Sequence, residues 1–175
     1  MVGLTHARGV TAIRGDIQDL PFANGQFECV LANRVLYHVP DLDGGLAEIA
    51  RVLGSGGRLI AATYSPHHLG ELGTLVGRPT ISSQFNAENG GAALRRHFSG
   101  VERQDYSGDA RFPDRDSLLR LLAAYGDFSD VELSARLGDV RTPFTATYRH
   151  SLFIARGPKH GANSRTQHRS PTSNP

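Results

Sequence analysis

The pattern that most limits what this chain can fold into is a helical period set between two short apolar runs. Phe27-Glu28-Cys29-Val30-Leu31-Ala32 and Leu59-Ile60-Ala61-Ala62-Thr63-Tyr64 are nearly continuous in apolar character, as expected of strands buried in a parallel sheet. Between them, Leu42, Leu46, Ile49, Ala50 and Leu53 fall at i, i+4, i+7, i+8 and i+11, one face of a 3.6-residue period. Asp41 or Asp43 can cap the start of this helix, and Gly54 stands where a left-handed residue would end it. Strand, helix and strand at this spacing predict an α/β protein whose two strands are joined by a crossover helix.

The flanks extend the pattern. Val10-Thr11-Ala12-Ile13-Arg14 is short, β-branched and bounded by glycines, so it reads as a strand. Gly15-Asp16 ends it, Pro21 turns the chain, and Asn24-Gly25 marks a second turn. Beyond Pro66, Leu69, Leu72, Leu75 and Val76 share a helical face that stops at Gly77. Residues 89–98 predict another helix with Leu94 and Phe98 turned inward, and Val101 to Tyr106 an exposed strand. Pro113-Asp114 opens a helix with Leu118, Leu119, Leu121, Leu122 and Tyr125 on its buried side. Thr145 to Ala155 predicts the last strand. Residues 157–175, rich in Ser, Asn, Pro and Gly, read as a disordered tail behind a domain over 1–156.

Charge and cysteine content narrow the function classes. The formal net charge is +2, but Lys159, Arg165 and Arg169 lie in the last 19 residues, and without them 16 basic residues face 17 acidic ones. A near-neutral body is a weak footprint for nucleic acid. Arginine outnumbers lysine 18 to one, yet the arginines are scattered rather than interleaved with aromatics, which fits codon bias better than phosphate binding. No apolar run approaches the roughly 20 residues of a membrane span, and the start lacks the apolar core of a secretory signal. A single cysteine, Cys29, makes neither an internal disulfide nor a cysteine-based zinc site; a reducing cytoplasm is the expected location. His67-His68 has no companion cluster and is expected to face solvent, so no metal is expected.

The chemistry-bearing stretch is Gly15-Asp16-Ile17-Gln18-Asp19-Leu20-Pro21-Phe22, then Gly25-Gln26-Phe27-Glu28-Cys29-Val30, then Asn33-Arg34-Val35-Leu36-Tyr37-His38-Val39-Pro40-Asp41, then Leu53-Gly54-Ser55-Gly56-Gly57-Arg58-Leu59. In this order and spacing the segments resemble the middle of a class I S-adenosylmethionine-dependent methyltransferase of the type 11 group. That group's pattern runs G-D-A-x-x-L-P-F, F-D-x-V, V-L-H-H-x-x-D and L-K-P-G-G-x-L. Glu28 stands here for the usual Asp, Tyr37 for the first His, and Gly54-Ser55 for the usual Lys/Arg-Pro. Phe112-Pro113 and Arg149 to Arg156 are similar to that group's C-terminal half.

The resemblance implies a Rossmann-like open, mostly parallel sheet with flanking helices, and S-adenosyl-L-methionine as cofactor. Asp16 would accept a hydrogen bond from the adenine amine at the carboxyl end of a strand, and the backbone N–H of Ile17 would meet the ring. The competing reading of Asp16 is a simple turn cap. Asn33 would contact the methionine part of the cofactor, or be a plain loop asparagine. Tyr37 and His38 would lie near a small-molecule acceptor, where His38 serves as general base if the acceptor must lose a proton, or merely packs on the following helix. A nicotinamide dehydrogenase is the other class that an Asp-Ile pair after a strand suggests, but it needs a Tyr-x-x-x-Lys pair, and Lys159 has no tyrosine four residues before it.

The group's glycine-rich turn and ribose-binding acid have no counterpart before Asp16, so the first two βα units are expected to be missing. In the group's strand order, 3-2-1-4-5-7-6, this leaves residues 10–14 without a neighbour and gives the fourth strand an open apolar edge. Two functional expectations follow. One is an N-terminally truncated methyltransferase that is inactive alone; the other is a non-catalytic subunit or remnant that pairs through that edge with a protein partner.

Overall fold

The computed structural model describes residues 11–77, 80, 82–124 and 129–160. Ten segments follow in chain order: β1 (Phe27–Asn33), a 3₁₀ turn (Leu36–His38), α1 (Leu42–Val52), β2 (Leu53–Tyr64), α2 (Gly70–Leu75), α3 (Gly90–His97), β3 (Phe98–Phe112), α4 (Arg115–Ala124), α5 (Asp130–Leu137) and β4 (Phe144–Pro158).

The four strands form one sheet in the order β1-β2-β4-β3. β1 and β2 are parallel, whereas β4 is antiparallel to β2 and to β3. The α/β architecture is the one expected, but the described sheet is mixed rather than mostly parallel. Its order is the 4-5-7-6 half of the sheet that the resemblance implies.

Helix α1 forms as the period predicts. Asp41 is the N-cap, its Oδ1 accepting from Gly44 N at 3.0 Å, and Leu42, Leu46, Ile49, Ala50 and Val52 are buried. Asp41→Ala is expected to lower stability by about 1 kcal/mol, read as a shifted urea midpoint at unchanged slope. Gly54 does not end the helix in a left-handed conformation. Leu53 is extended and already begins β2, because the chain passes from helix to strand without a loop. The slack is taken up later, where pairing jumps from Phe27↔Leu53 to Cys29↔Arg58. Gly57 is needed in that bulge, since a Cβ there would lie 2.9 Å from the Gly54 carbonyl oxygen.

Two expectations about strands are corrected. Residues 11–14 are not a strand, and Ile13 is 60% exposed; among the described residues no strand lies beside them to pair with, and Val10 lies outside the described residues. The run 27–32 is a strand, but Cys29 and Leu31 are exposed rather than buried. β1 has β2 as its one strand neighbour among the described residues, so its outer edge and part of its faces lack cover.

The core falls into two clusters. Leu46, Ile49, Leu59, Ala61, Phe85, Leu94, Phe98 and Phe153 join α1 and α3 to the sheet. Leu72, Leu118, Leu122, Leu133, Leu137 and Ala146 gather α2, α4 and α5 around the far end of the long β3–β4 pair. Helix α2 stops as expected before Gly77, which sits at φ +73°. β4 runs to Pro158, and Lys159 is tied to His97 O by its backbone and to Arg95 O by its side chain. The ordered chain therefore continues past the expected boundary at residue 156. The rest of the expected tail, 161–175, and Tyr125 lie outside the described residues.

Candidate functional site

The parallel strands β1 and β2 end on the same side of the sheet, and ligands of open α/β sheets bind at that end. Here Tyr37, His38, Tyr64, Ser65, His68 and Asn86 line a cleft of about 620 Å³, within the range of small-molecule pockets.

Each wall has a local cause. Leu36, 1% exposed, pins the 3₁₀ turn to the core and leaves Tyr37 half-buried and His38 exposed, with their rings 4.4 Å apart. Tyr64 is the last residue of β2, and its ring meets Tyr37 at 6.0 Å and His68 at 4.4 Å. The loop after β2 is laced to the start of β4: Ser65 N donates to Arg149 O, Leu69 N to Thr147 O, and Arg149 N to His68 Nδ1 at 3.0 Å. His68 is therefore half-buried, while its neighbour His67 is exposed. The expectation that both histidines face solvent fails for His68. The loop carrying Ser83 and Asn86 closes the other side, held by Gln84 Nε2 donating to Val39 O and by Thr63 Oγ1 donating to Phe85 O.

His150, from β4, completes the ring cluster at 4.8 Å from His68 and 5.0 Å from Tyr64. Arg34 follows β1 with φ 55°, a left-handed conformation that non-glycine residues rarely adopt. Its guanidinium lies 4.8 Å over the Tyr64 ring and 3.4 Å from His150 Nδ1. Burial first, then the neighbouring His150 and Arg34, push the His68 imidazole down to about 4. Burial first and Arg34 second push His150 down as well. The His68 imidazole is thus held in its neutral form, and His150 is biased the same way.

The remaining expected site residues, Asp16, Ile17 and Asn33, are not among those that line the cleft. The Asp16 carboxylate is exposed and accepts from Gln18 N at 2.9 Å and from Gln18 Nε2 at 3.2 Å; these bonds hold it below the usual aspartate range. This is the turn-capping geometry, and it leaves the carboxylate facing solvent. Gln18 Oε1 in turn accepts from Asp41 N at 2.8 Å, and Ile17 packs on the core beside Gly45, so Asp16 and Ile17 stand beside the first turn of α1. Asn33 is exposed at the end of β1, opposite Ala62, and is not one of the cleft-lining residues. Among the described residues no group of three or more His, Cys, Asp or Glu side chains is placed to hold a metal. No helix among them is long and apolar enough to cross a membrane.

The methyltransferase domain family matches residues 2–61, the stretch that carries Asp16, Asn33, Tyr37, His38 and the first two strands. The chain is 31% identical over 125 residues to a demethylmenaquinone methyltransferase of Thermobifida fusca, covering 68% of this chain and 49% of that protein. Along this stretch the chain is similar to the class I methyltransferases. It is also 40% identical over 78 residues to a malonyl-[acyl-carrier protein] O-methyltransferase of Herminiimonas arsenicoxydans, covering 44% of this chain and 29% of the relative. A solved S-adenosylmethionine-dependent methyltransferase from Thermotoga maritima shares the fold at a TM-score of 0.52 and 16% identity, covering 90% of this chain and 69% of that one. The chain thus spans about half the length, or less, of these two curated relatives. S-adenosylmethionine is the cofactor of the class.

Sequence reasoning missed Tyr64, His68, His150 and Arg34 as partners in one cluster. The signal for Tyr64 and His150 was their place at the rim ends of two apolar runs; Arg34 and His68 carried none.

Proposed function

We propose that this chain serves S-adenosylmethionine-dependent methyl transfer to a small-molecule acceptor held in the cleft between Tyr37, Tyr64 and His68. The observation that carries the reading is the placement of an apolar, ring-lined cleft at the carboxyl end of the parallel strand pair; Asp16, an exposed carboxylate next to the start of α1, supports it. An ionised carboxylate offers about four acceptor positions, and Gln18 takes three at Asp16. One remains for an exocyclic amine, so Asp16 fits the adenine edge of the cofactor. Ile17 supports the ring, and Asn33 lies toward the methionine end. The bound cofactor supplies an electrophilic methyl group; Tyr37 and His38 align the acceptor, which is the larger part of catalysis in such a displacement. His38 takes a proton where the acceptor must lose one. The named acceptors of the two relatives, demethylmenaquinone and malonyl-[acyl-carrier protein], differ too much to choose the acceptor here.

The glycine-rich turn and ribose-binding acid of the class are not found before Asp16, so the chain alone is expected to bind the cofactor weakly. Titrating the 175-residue chain with S-adenosylmethionine should give no micromolar heat signal, yet at millimolar ligand the amide resonances of Asp16, Ile17 and Asn33 should shift. A micromolar dissociation constant overturns the inactive-alone reading. Silence at those three amides overturns the site itself.

A second reading rests on β1, which has one strand neighbour among the described residues and carries Leu31, 67% exposed. An open apolar edge is a template for a strand from another chain, so a protein partner there is the alternative role. Recovery of soluble chain only on co-expression with an adjacent gene product favours it; a soluble monomer on its own counts against it.

A further inference from the structure

The cleft's ring cluster carries a consequence for what the acceptor looks like. His68 Nδ1 receives the Arg149 backbone N–H at 3.0 Å, and a neutral imidazole has one acceptor nitrogen and one N–H. Its single proton therefore sits on Nε2, on a side chain that lines the cleft. With its acceptor nitrogen already taken, His68 can donate a hydrogen bond into the cleft and cannot receive a proton there without losing the bond that positions it. Its low affinity for protons keeps it in this state across the working range of pH.

The surroundings say what such a donor would meet. The Arg34 guanidinium stands 4.8 Å over the Tyr64 ring and against His150, so positive charge lies behind the aromatic wall. Two carboxylates stand near these walls, each bonded away from the rings: Glu88 accepts from Ser65 Oγ at 3.0 Å, and Glu71 from Thr147 N and Oγ1 at 3.0 and 2.8 Å. Arg149, whose charge acts on Glu71, adds a second positive charge at this end of β4. Tyr37, Tyr64 and His68 present rings in mutual contact, a surface that suits a flat conjugated group through offset or edge contacts.

We propose that the cleft takes a planar, conjugated acceptor bearing an ionised oxygen, a phenolate or enolate, whose oxygen is held by the Nε2–H of His68 while its ring lies against Tyr64. This rests on the methyl-transfer reading for the word acceptor, but its test does not need the cofactor. His68 is here a positioning donor, distinct from the proton-accepting role assigned to His38. A hydrogen bond from a neutral donor to a charged oxygen is stronger than one to a neutral oxygen, so the site should discriminate between ionised and methylated forms of one molecule.

The test is a spectroscopic and NMR titration of the full chain with 4-nitrophenolate, in buffer alkaline enough to ionise it, against 4-nitroanisole as the uncharged control. The phenolate should bind about tenfold or more tighter than the anisole. His68→Asn keeps an acceptor for the Arg149 N–H but has no group at the Nε2 position; it should weaken the phenolate by about tenfold to a hundredfold and leave the anisole unchanged. His68→Gln, which returns an N–H near Nε2, should recover part of the loss, and circular dichroism should show all three proteins folded alike. Equal affinity for the two probes, no binding of either, or an unchanged phenolate affinity in His68→Asn overturns the proposal. If cofactor shifts at Asp16 and Ile17 persist in that case, methyl transfer stands and the acceptor class alone is wrong. If the phenolate binds as expected while those shifts are absent, the cleft stands and the cofactor site is wrong.

Discussion

Phe153→Ala is expected to destabilise the protein by about 3–5 kcal/mol, a drop of roughly 6–20 °C in Tm for a chain of this size. Phe153 lies in β4 between Ala61 of β2 and Arg103 of β3 and is 1% exposed. Its ring meets Phe85 edge-on at a centroid distance of 5.7 Å. Below both rings is Gly90, where a Cβ would lie 2.9 Å from Phe153 Cε2 and 3.1 Å from Phe85. Helix α3 can approach the sheet this closely because residue 90 has no side chain, so the space left by a removed ring has no neighbour poised to fill it. The effect should reach the cleft. Phe85 O accepts from Thr63 and Ser83, and the same loop carries Asn86, so a loosened Phe85 frees one wall of the acceptor site. Phe153→Leu, which keeps most of the volume, should lose under half as much. A loss below about 1 kcal/mol in urea unfolding of Phe153→Ala would mean that this ring is not the keystone of the sheet–α3 contact.

The part of the fold that follows from local periodicity was legible in the sequence. The face Leu42, Leu46, Ile49, Ala50 depends on spacing within eleven residues, and the aspartate before it caps the helix as such residues do. What was not legible depends on partners far along the chain. The run 27–32 has the composition of a buried strand, but burial needs a neighbour on each side, and among the described residues β1 has one. Residues 11–14 have strand composition but no strand partner among the described residues. Helix α5 was missed although Ser129-x-x-Glu132 forms a complete capping box, with Glu132 Oε2 accepting from Ser129 N at 2.9 Å; the signal was there, but it precedes only a two-turn helix with a weak apolar face. Of the residues that stood in motifs, Tyr37 and His38 line the cleft and Asp16 does not. His68 could not be told from His67, because what separates them is a hydrogen bond from Arg149, 81 residues away. Side chains whose role is set by lacing between distant segments leave no local pattern to read.

Arg51→Met should remove about 2–3 kcal/mol, and its main effect should be on the segment that holds Asp16. The Arg51 guanidinium donates to Leu20 O at 2.9 Å, to Phe22 O and Asn24 Oδ1 at 2.8 Å each, and to both Glu48 oxygens at 2.6 and 2.8 Å. Glu48 Oε2 in turn accepts from Leu20 N, and Arg51 O from Gly25 N. One side chain on α1 thus fixes the chain between the Asp16 turn and β1, a stretch with no sheet pairing of its own apart from the short bridge between Asp16 and Asp19. The pair is partly exposed, 31% and 21% for its side chains, so the loss stays below the 3–5 kcal/mol of a broken buried pair. Methionine keeps the aliphatic contact with α1 and removes the donors, which leaves two backbone carbonyls to water. Amide exchange at residues 16–25 should rise while the β2–β4 amides stay protected, and the cofactor-induced shifts at Asp16 and Ile17 should disappear. The pH dependence gives an independent check. The Arg51 hydrogen bonds hold the Glu48 carboxyl below its ordinary value of 4.5. A carboxyl depressed in the folded state adds stability above its unfolded value, and that stability is lost as pH falls from about 4.5 through the folded value. Wild type should therefore weaken in that acid window, and Arg51→Met, which has already lost the cause of the depression, should weaken less there. If both proteins show the same acid slope and the same exchange at residues 16–25, the Arg51–Glu48 pair is a surface ornament and the Asp16 turn is held by something else.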